Sequence, residues 1–180
     1  MSPQVVSVSC SHTHTFSKPT QKSILVLKGL GVKDDAHCGK TIKYRSRVAA
    51  DPSQPNLRQI HLLHSELFQE LQENGFELKP GDLGENILTQ GIDLLALPRN
   101  SLIKIGADVV VQVTGLRNPC HQIEEFQSGL LKAVIETPTG GVQTKKAGIM
   151  SIVLEEGTIK VGDPIHLELP PEPHEKLERV

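Results

Sequence analysis

The chain has 180 residues, a formal net charge of −2, and a charged fraction of 22%. This length suits a single domain with its own hydrophobic core, and the nearly balanced charge excludes a strongly basic surface of the kind that binds nucleic acid or anionic membranes. Aromatic residues make up only 3% of the chain, so the core must be built mainly from Val, Ile and Leu.

The cysteine content indicates a reducing environment. Cys10, Cys38 and Cys120 are an odd number, lie far apart, and show no paired metal-ligand spacing. A disulfide framework is therefore not expected. The first residues show no basic segment followed by an apolar one, and no apolar run approaches the ~20 residues of a membrane span. We expect a soluble protein of the cytoplasm that binds neither membrane nor nucleic acid.

The first third of the chain is predicted to form short strands separated by polar loops. Runs rich in β-branched and other apolar residues at 5–9, 24–27 and 59–63 are typical of strands. The loop at 11–18 is rich in hydrogen-bond donors, and its His12, His14 and Ser17 either contact a ligand or face solvent.

One amphipathic helix is predicted at 66–74. Ser65 is a suitable N-cap, Leu67 and Leu71 share one face, and Gly75 supplies a stop signal. The helix should therefore pack its apolar face on the sheet.

The second half of the chain again favours strands. No helix of ten or more residues fits between 87 and 113, which disfavours a doubly wound α/β fold. The sequence predicts a mainly β, α+β domain over residues 1–169, in the form of a closed or partly open β-barrel, followed by a loose tail at 170–180. The predicted strands are 87–89, 101–105, 108–113, 149–154, 158–161 and 165–169, with a helical piece at 130–135.

A cysteine follows a helix-start signal directly after the strand at 108–113. Asn118 is a good N-cap and Pro119 suits the first helical position, which would place Cys120 in the first turn. The helix dipole and the nearby Arg117 would then favour a thiolate. Alternatively, Cys120 is a small buried apolar residue beside an ordinary cap.

Polar residues around this corner are candidates for binding an anionic group. Arg117 could form a bidentate contact with phosphate, and Asn118 lies where free N–H groups are expected. Thr114 either faces the same pocket or simply ends its strand. Lys40 and Arg45 either reach phosphate or belong to a solvated face.

Other polar residues have weaker functional signals. His37 and Cys38 are a single soft-donor pair, so a structural zinc site, which needs four such ligands, is not predicted. Gly84 and Asn86 indicate a tight turn that enters a strand. Structural roles are expected for His61 and His64, whereas Lys145 and Lys146 could add positive charge to a rim.

Four separated segments together resemble the MOSC domain, the C-terminal module of molybdenum cofactor sulfurases that also occurs as small stand-alone proteins. The segments are 31–39, 81–89, 114–123 and 147–165. Stand-alone bacterial members, including those linked to reduction of N-hydroxylated bases, are the most similar. The resemblance implies a β-barrel of the pyruvate-kinase barrel type.

The resemblance also implies a cofactor and roles for particular residues. It implies a molybdenum cofactor (molybdopterin), with Cys120 as the protein thiolate ligand to molybdenum; any link to pyridoxal phosphate is a family-level association only. His37 would line the pocket as a hydrogen-bond donor or proton shuttle. Backbone N–H groups around Gly84 and Asn86 would cradle pterin or phosphate.

Two functions of different classes follow as expectations. The first is a molybdenum-dependent oxidoreductase that reduces a small N-hydroxylated substrate. Its electrons would come from a partner protein, because the chain itself lacks an iron–sulfur cysteine run and a GxGxxG fingerprint. The second is a sulfur carrier in which Cys120 holds a persulfide received from a sulfur donor. A third hypothesis is a regulatory or structural barrel that has kept the motif but has lost the cofactor.

Overall fold

The computed structural model describes residues 2–136, 141 and 143–180, without the side chain of Ser46. Short strands dominate, as the β-branched runs predict, and the helices are at most eight residues long. The elements are β1 Gln4–Ser9, β2 Thr20–Gln21, β3 Ser23–Leu27, β4 Gly31–Val32, α1 Arg45–Ala50, β5 Ile60–His64, α2 Glu66–Glu73, β6 Ile87–Gln90, a 3-10 helix at Leu94–Ala96, β7 Leu102–Ile105, β8 Val109–Leu116, α3 His121–Phe126, α4 Leu130–Ala133, β9 Ile135–Glu136, β10 Thr144–Lys145, β11 Ile149–Glu155, β12 Gly157–Lys160 and β13 Ile165–Glu168.

An eight-stranded mixed sheet forms the centre of the fold. Its strand order is β13-β7-β8-β11-β5-β6-β1-β2, and β12-β3-β4 form a smaller sheet. The neighbours in the large sheet are antiparallel except for β5 and β6, which are parallel and connected through α2. This crossover is the one place where a helix is required, because parallel neighbours cannot be joined by a tight turn.

Two groups of aliphatic side chains fill the interior. The larger contains Val, Ile and Leu from both sheets. In the second, Leu67 and Leu71 of α2 are buried with Leu63, Leu88 and Ile123. The prediction that aliphatic residues build the core is thus confirmed, and α2 packs the face that its sequence pattern indicates.

The mainly β fold with short helices is confirmed, but a closed barrel is not. In the described part of the chain, the outer strands β13 and β2 of the large sheet do not pair with each other. The two sides of the sheet approach each other where the start of β1 meets the residues that lead into β13. Three backbone hydrogen bonds join them there: Val5 N to Asp163 O (3.0 Å), Gly162 N to Val5 O (2.9 Å) and Ile165 N to Pro3 O (3.0 Å).

The end of the predicted tail is held against β8, so the expectation that 170–180 is loose is wrong for these residues. Leu116 N donates to Glu178 O (2.7 Å), and Val180 N donates to Leu116 O (3.3 Å). Leu177 also packs on the larger core group. The reason is that the end of β8 offers unpaired backbone groups beside an apolar surface, which the sequence of the tail did not reveal.

None of the helices in the described residues combines the length and the apolar character needed to cross a membrane.

We expect the Leu67→Ala variant to lower the free energy of unfolding by about 2–5 kcal/mol, because it opens a cavity under α2. Leu67 is fully buried. Leu25→Ala is the control, since Leu25 is 39% exposed on β3, and it should cost less than about 1 kcal/mol. Urea unfolding of both variants measures the difference; equal losses would contradict the packing of α2.

Candidate functional site

A cavity of about 310 Å³ lies where several loops converge at the end of β8. The walls come from the loop after β1, the loop after β4, the start of α1, strand β5, the turn before β6 and the start of α3. The side chains that line it are mostly basic or aromatic: His14, Thr15, Phe16, Lys18, His37, Tyr44, Arg45, His61, Gly84, Arg117 and Gln122.

The buried carboxylate of Asp35 ties these loops together. Its Oδ2 accepts from Lys18 Nζ (2.8 Å), Asn86 Nδ2 (3.1 Å) and Ser11 N (3.3 Å). Its Oδ1 accepts from the backbone N (3.0 Å) and the ring Nδ1 (3.1 Å) of His37. Burial by itself would raise the pKa of Asp35, but the hydrogen bonds from His37 and the charge of Lys18 outweigh it and hold the pKa well below its usual range. The carboxylate is therefore permanently charged.

His37 is oriented by this carboxylate and by its aromatic neighbours. Because Nδ1 donates to Asp35, Nε2 is the ring nitrogen left to accept or release a proton. The ring lies 4.4 Å from the Tyr44 ring and 5.1 Å from that of His14, measured between centroids. The guanidinium of Arg58 in turn lies 4.1 Å from the centre of the Tyr44 ring. His37 is thus held on several sides, as a proton-transfer group requires.

The turn before β6 brings backbone, rather than side chains, up to the cavity. Gly84 has a φ of +78°, and a Cβ there would lie 2.5 Å from Phe16 O, so the close approach requires glycine. Asn86 lies behind the turn: Oδ1 accepts from His61 N (3.1 Å) and Nδ2 donates to Ser9 O (3.1 Å) as well as to Asp35. Asn86 therefore braces the site and does not line the cavity.

Arg117 supplies a buried positive charge that forms no ion pair with the described residues. It is only 7% exposed, and its Nη1 has no hydrogen-bond partner among the described residues. Burial lowers the pKa of its guanidinium, although arginine stays charged in proteins. The centre of the Phe16 ring lies 5.8 Å from the guanidinium carbon of Arg117. A buried, unpaired guanidinium beside a cavity is costly unless an anionic group completes it, so this end of the cavity is suited to an anion.

A second buried group near Arg117 carries an unpaired oxygen. Glu85 is 1% exposed; its Oε1 accepts from Gly81 N, while Oε2 has no partner in the part of the chain described. Burial raises the pKa of Glu85 to about 7. The charge of Arg117 acts in the opposite direction but does not cancel the effect of burial.

Cys120 lies one residue before α3 and is not among the residues that line the cavity; the contact of its thiol with the lining residue Gln122 puts it at the cavity rim. The predicted N-cap at Asn118 is wrong, because α3 begins at His121 and Cys120 itself has the extended cap conformation. Asn118 Oδ1 instead accepts from Lys145 Nζ (2.9 Å). The thiol of Cys120 is half-buried and donates to Oε1 of Gln122 (3.6 Å), a cavity-lining residue.

Several residues proposed from sequence lie elsewhere. Thr114 Oγ1 donates to Leu57 O (2.6 Å), on the side of β8 that faces the tail. Lys40 is exposed and is not among the lining residues. Lys146 forms ion pairs with Glu70 (2.6 Å) and Glu136 (2.7 Å).

Of the predicted site residues, the cavity collects His37, Arg45, Gly84 and Arg117, with Cys120 at its rim. His61 was expected to be only structural. Its Nε2 does bond to Ala147 O (2.7 Å), and burial, reinforced by Arg117, lowers its pKa well below the usual value, but the ring also lines the cavity. Tyr44, Phe16 and Gln122 carried no separate signal in the sequence.

In the described residues, no group of three or more His, Cys, Asp or Glu side chains has an arrangement that could hold a metal ion by itself. Cys38 does not add a second thiolate to the site, because burial, together with Asp35 and Asp34, raises the pKa of its thiol.

The chain is similar to known proteins in sequence pattern and in structure. The family model for the MOSC domain matches residues 45–166. The YuaD protein from Bacillus subtilis is similar in structure, with a TM-score of 0.75, 23% identity, and coverage of 95% of this chain and 98% of that one. YiiM from Geobacillus stearothermophilus has a TM-score of 0.65 at 24% identity, covering 92% and 75% of the two chains. YiiM from Escherichia coli gives 0.63 at 14% identity, covering 96% and 73%. No curated protein matches in sequence.

The Asp35→Asn variant is expected to lower the free energy of unfolding by about 3–5 kcal/mol, because it leaves Lys18 buried without its counter-ion. The side chains of this pair are 3% and 6% exposed. Lys28→Met is the matched control: it breaks an exposed pair with Glu155, where both side chains are about 60% exposed, and should cost less than about 1 kcal/mol. Urea unfolding at neutral pH compares them, and equal losses would refute the central role of Asp35.

The Glu85→Gln variant should remove a pH dependence of stability. The native carboxyl holds its proton up to about pH 7, whereas the unfolded one releases it near its ordinary value of 4.5. The native state therefore binds more protons in this window, and the wild type loses stability as the pH rises through it, by about 3 kcal/mol.

Glutamine keeps the oxygen that accepts from Gly81 N, so Glu85→Gln should be more stable than the wild type at pH 8 and no more stable at pH 4. Urea unfolding across this range measures the effect. Glu155→Gln, at an exposed position, should follow the wild-type curve. If Glu85→Gln follows it as well, the carboxyl is not titrating in this window.

Proposed function

Because the chain belongs to the MOSC domain family, we propose that its cavity binds a molybdenum cofactor and that the protein reduces N-hydroxylated compounds. The observation that carries this proposal is the buried Arg117, with its unpartnered Nη1, in a cavity that has a cysteine thiol at its rim. Few ligands call for both a buried anion receptor and a soft sulfur donor, and a phosphorylated pterin carrying molybdenum is one of them.

The residues present fit such a cofactor. Arg117 would receive an anionic group at the closed end of the cavity, and the exposed Arg45 would add positive charge at its mouth. Cys120 would supply a thiolate to the metal, which is a soft ligand suited to molybdenum. When bound, the cofactor supplies two-electron redox chemistry. Phe16 and Gly84 form part of the cavity wall, where the backbone at Gly84 lies close to Phe16 O.

The proton requirement of the proposed reaction matches the Asp35–His37 pair. Reduction of an N-hydroxyl compound to the amine breaks the N–O bond, consumes two electrons and two protons, and releases water. Asp35 fixes the tautomer of His37, which leaves Nε2 as the nitrogen that would deliver a proton and regain it from solvent. The other imidazole close to Cys120 in the chain, that of His121, is exposed on α3 and pairs with Glu125 (3.6 Å). His37 is therefore the better candidate.

The electrons would come from a partner protein. The chain has neither an iron–sulfur cysteine run nor a nucleotide-binding fingerprint. All three cysteines are free, which suits a reducing compartment such as the cytoplasm.

A second candidate function is a carrier of sulfur in which Cys120 holds a persulfide. The half-buried position of the thiol at the cavity rim favours it, because a donor protein could reach the sulfur there. Arg117 would then stabilise the persulfide anion.

The Cys120→Ser variant tests the first function against the second. We expect it to retain at least about tenfold less molybdenum per chain than the wild type after gentle purification, because the metal loses its thiolate. Metal analysis by mass spectrometry, together with reduction of a hydroxylaminopurine, measures the loss. Cys38→Ser is the control and should keep both properties.

Molybdenum and activity that survive in Cys120→Ser would contradict the ligand role. Cyanolysable sulfur in the wild type, absent from Cys120→Ser and unaccompanied by molybdenum, would instead establish the carrier function.

A further inference from the structure

We propose that residues 178–180 are a positioning segment that holds two walls of the cavity in place. The segment does not line the cavity, but its contacts lead to Arg117 on one side and to His37 on the other. This inference about the segment stands on its own contacts. Its effect on cofactor binding rests on the proposed function.

The first wall is held through β8. The backbone of Leu116 is bonded on both sides to the segment, with its N donating to Glu178 O (2.7 Å) and its O accepting from Val180 N (3.3 Å). Leu116 directly precedes Arg117, whose own N donates to Gly148 O (3.0 Å). The strand end that presents Arg117 is therefore fixed between β11 and the segment 178–180.

The second wall is held through a stack of side chains. Arg58 is 7% exposed, and its Nη1 donates to Val180 O (2.5 Å). Its guanidinium lies 4.1 Å from the centre of the Tyr44 ring, and that ring lies 4.4 Å from His37. Because a guanidinium of arginine is planar and stacks well on an aromatic face, fixing Arg58 also fixes Tyr44, and Tyr44 supports the ring of His37.

Gly115 permits the segment to approach β8 this closely. A Cβ at this position would lie 2.5 Å from Glu178 O and 2.9 Å from Val180 Cβ. Gly115 does not have a positive φ, so alanine is compatible with the backbone of β8 and would act only by pushing the segment away. The substitution Gly115→Ala is thus a specific means of displacing residues 178–180.

The intrinsic fluorescence of the protein offers a local readout. Tyr44 is its single tyrosine, and the chain has no tryptophan. Tyrosine emission and its quenching by acrylamide therefore report only on the ring between Arg58 and His37. Three proteins are compared with the wild type: Gly115→Ala, a chain that ends at Leu177, and Gly157→Ala.

In Gly115→Ala and in the chain ending at Leu177, we expect acrylamide quenching of Tyr44 to rise at least about twofold while urea unfolding stays cooperative, because only a local contact is lost. Gly157→Ala is the matched control: its Cβ would lie 3.0 Å from Val109 Cγ2, at the opposite end of β8 from the residues that contact the segment. It should quench like the wild type. The truncated chain keeps the test valid if Gly115→Ala fails to fold.

Unchanged quenching in both displaced forms overturns the proposal, even if their stability falls, because a merely structural role would lower stability without freeing Tyr44. If Tyr44 is freed and molybdenum content falls with it, the segment positions the binding site. If Tyr44 is freed and the wild type itself binds no molybdenum, the positioning role holds and the proposed function fails.

Discussion

The geometry of the cavity depends on one buried carboxylate. Asp35 receives hydrogen bonds from the loop after β1, from its own loop and from the start of β6. Each of these connections lacks regular structure and would be mobile alone. Without the carboxylate, Lys18 would be a buried cation without a partner, and the tautomer of His37 would be unspecified. The small helices and irregular loops of this fold thus reach a defined arrangement through polar contacts, while the aliphatic core holds the sheets.

The charges around the cavity are unequally compensated. Lys18 is neutralised by Asp35, and His61 is kept neutral by burial and by the charge of Arg117, which together outweigh the opposite effect of the bond to Ala147 O. Arg117 is a cavity-lining buried charge with an unpartnered nitrogen, and the buried Glu85, whose carboxyl is affected by the charge of Arg117, holds its proton up to about pH 7. A fully ionised Glu85 would reduce the attraction for an anion. The fold therefore keeps its anion-attracting character by making this carboxyl hard to ionise.

Local patterns in the sequence were sufficient for the strands and for α2, because β-branched runs and the spacing of Leu67 and Leu71 act over a few residues. Local patterns also singled out Arg117 and Cys120 as candidate site residues, whereas the family resemblance was needed to place His37 at the pocket. Local patterns were insufficient where contacts between residues far apart in the sequence determine the position of a side chain. Asn118 was predicted to be a cap, but its side chain accepts from Lys145. For Thr114 the sequence left two alternatives, facing the pocket or ending its strand, and the bond of its hydroxyl to the distant Leu57 O favours the second. Whether the sheet closes into a barrel and where the tail lies depend likewise on contacts between segments that are far apart in the sequence. The periodicity of apolar residues does not encode such contacts.

The position of β11 has a consequence for synthesis on the ribosome. Among the described residues, β11 is the strand of the large sheet that pairs with both β8 and β5. Apart from the three backbone hydrogen bonds between residues 3–5 and 162–165, β13-β7-β8 and β5-β6-β1-β2 are therefore paired through residues 149–155. A nascent chain that has emerged as far as β10 therefore carries two half-sheets with unpaired edges, at β8 and at β5. Such edges pair readily with other chains. The interval between the emergence of β8 and that of β11 is thus the period in which the growing chain is most exposed to misassembly, and slowing translation over this stretch lengthens that period.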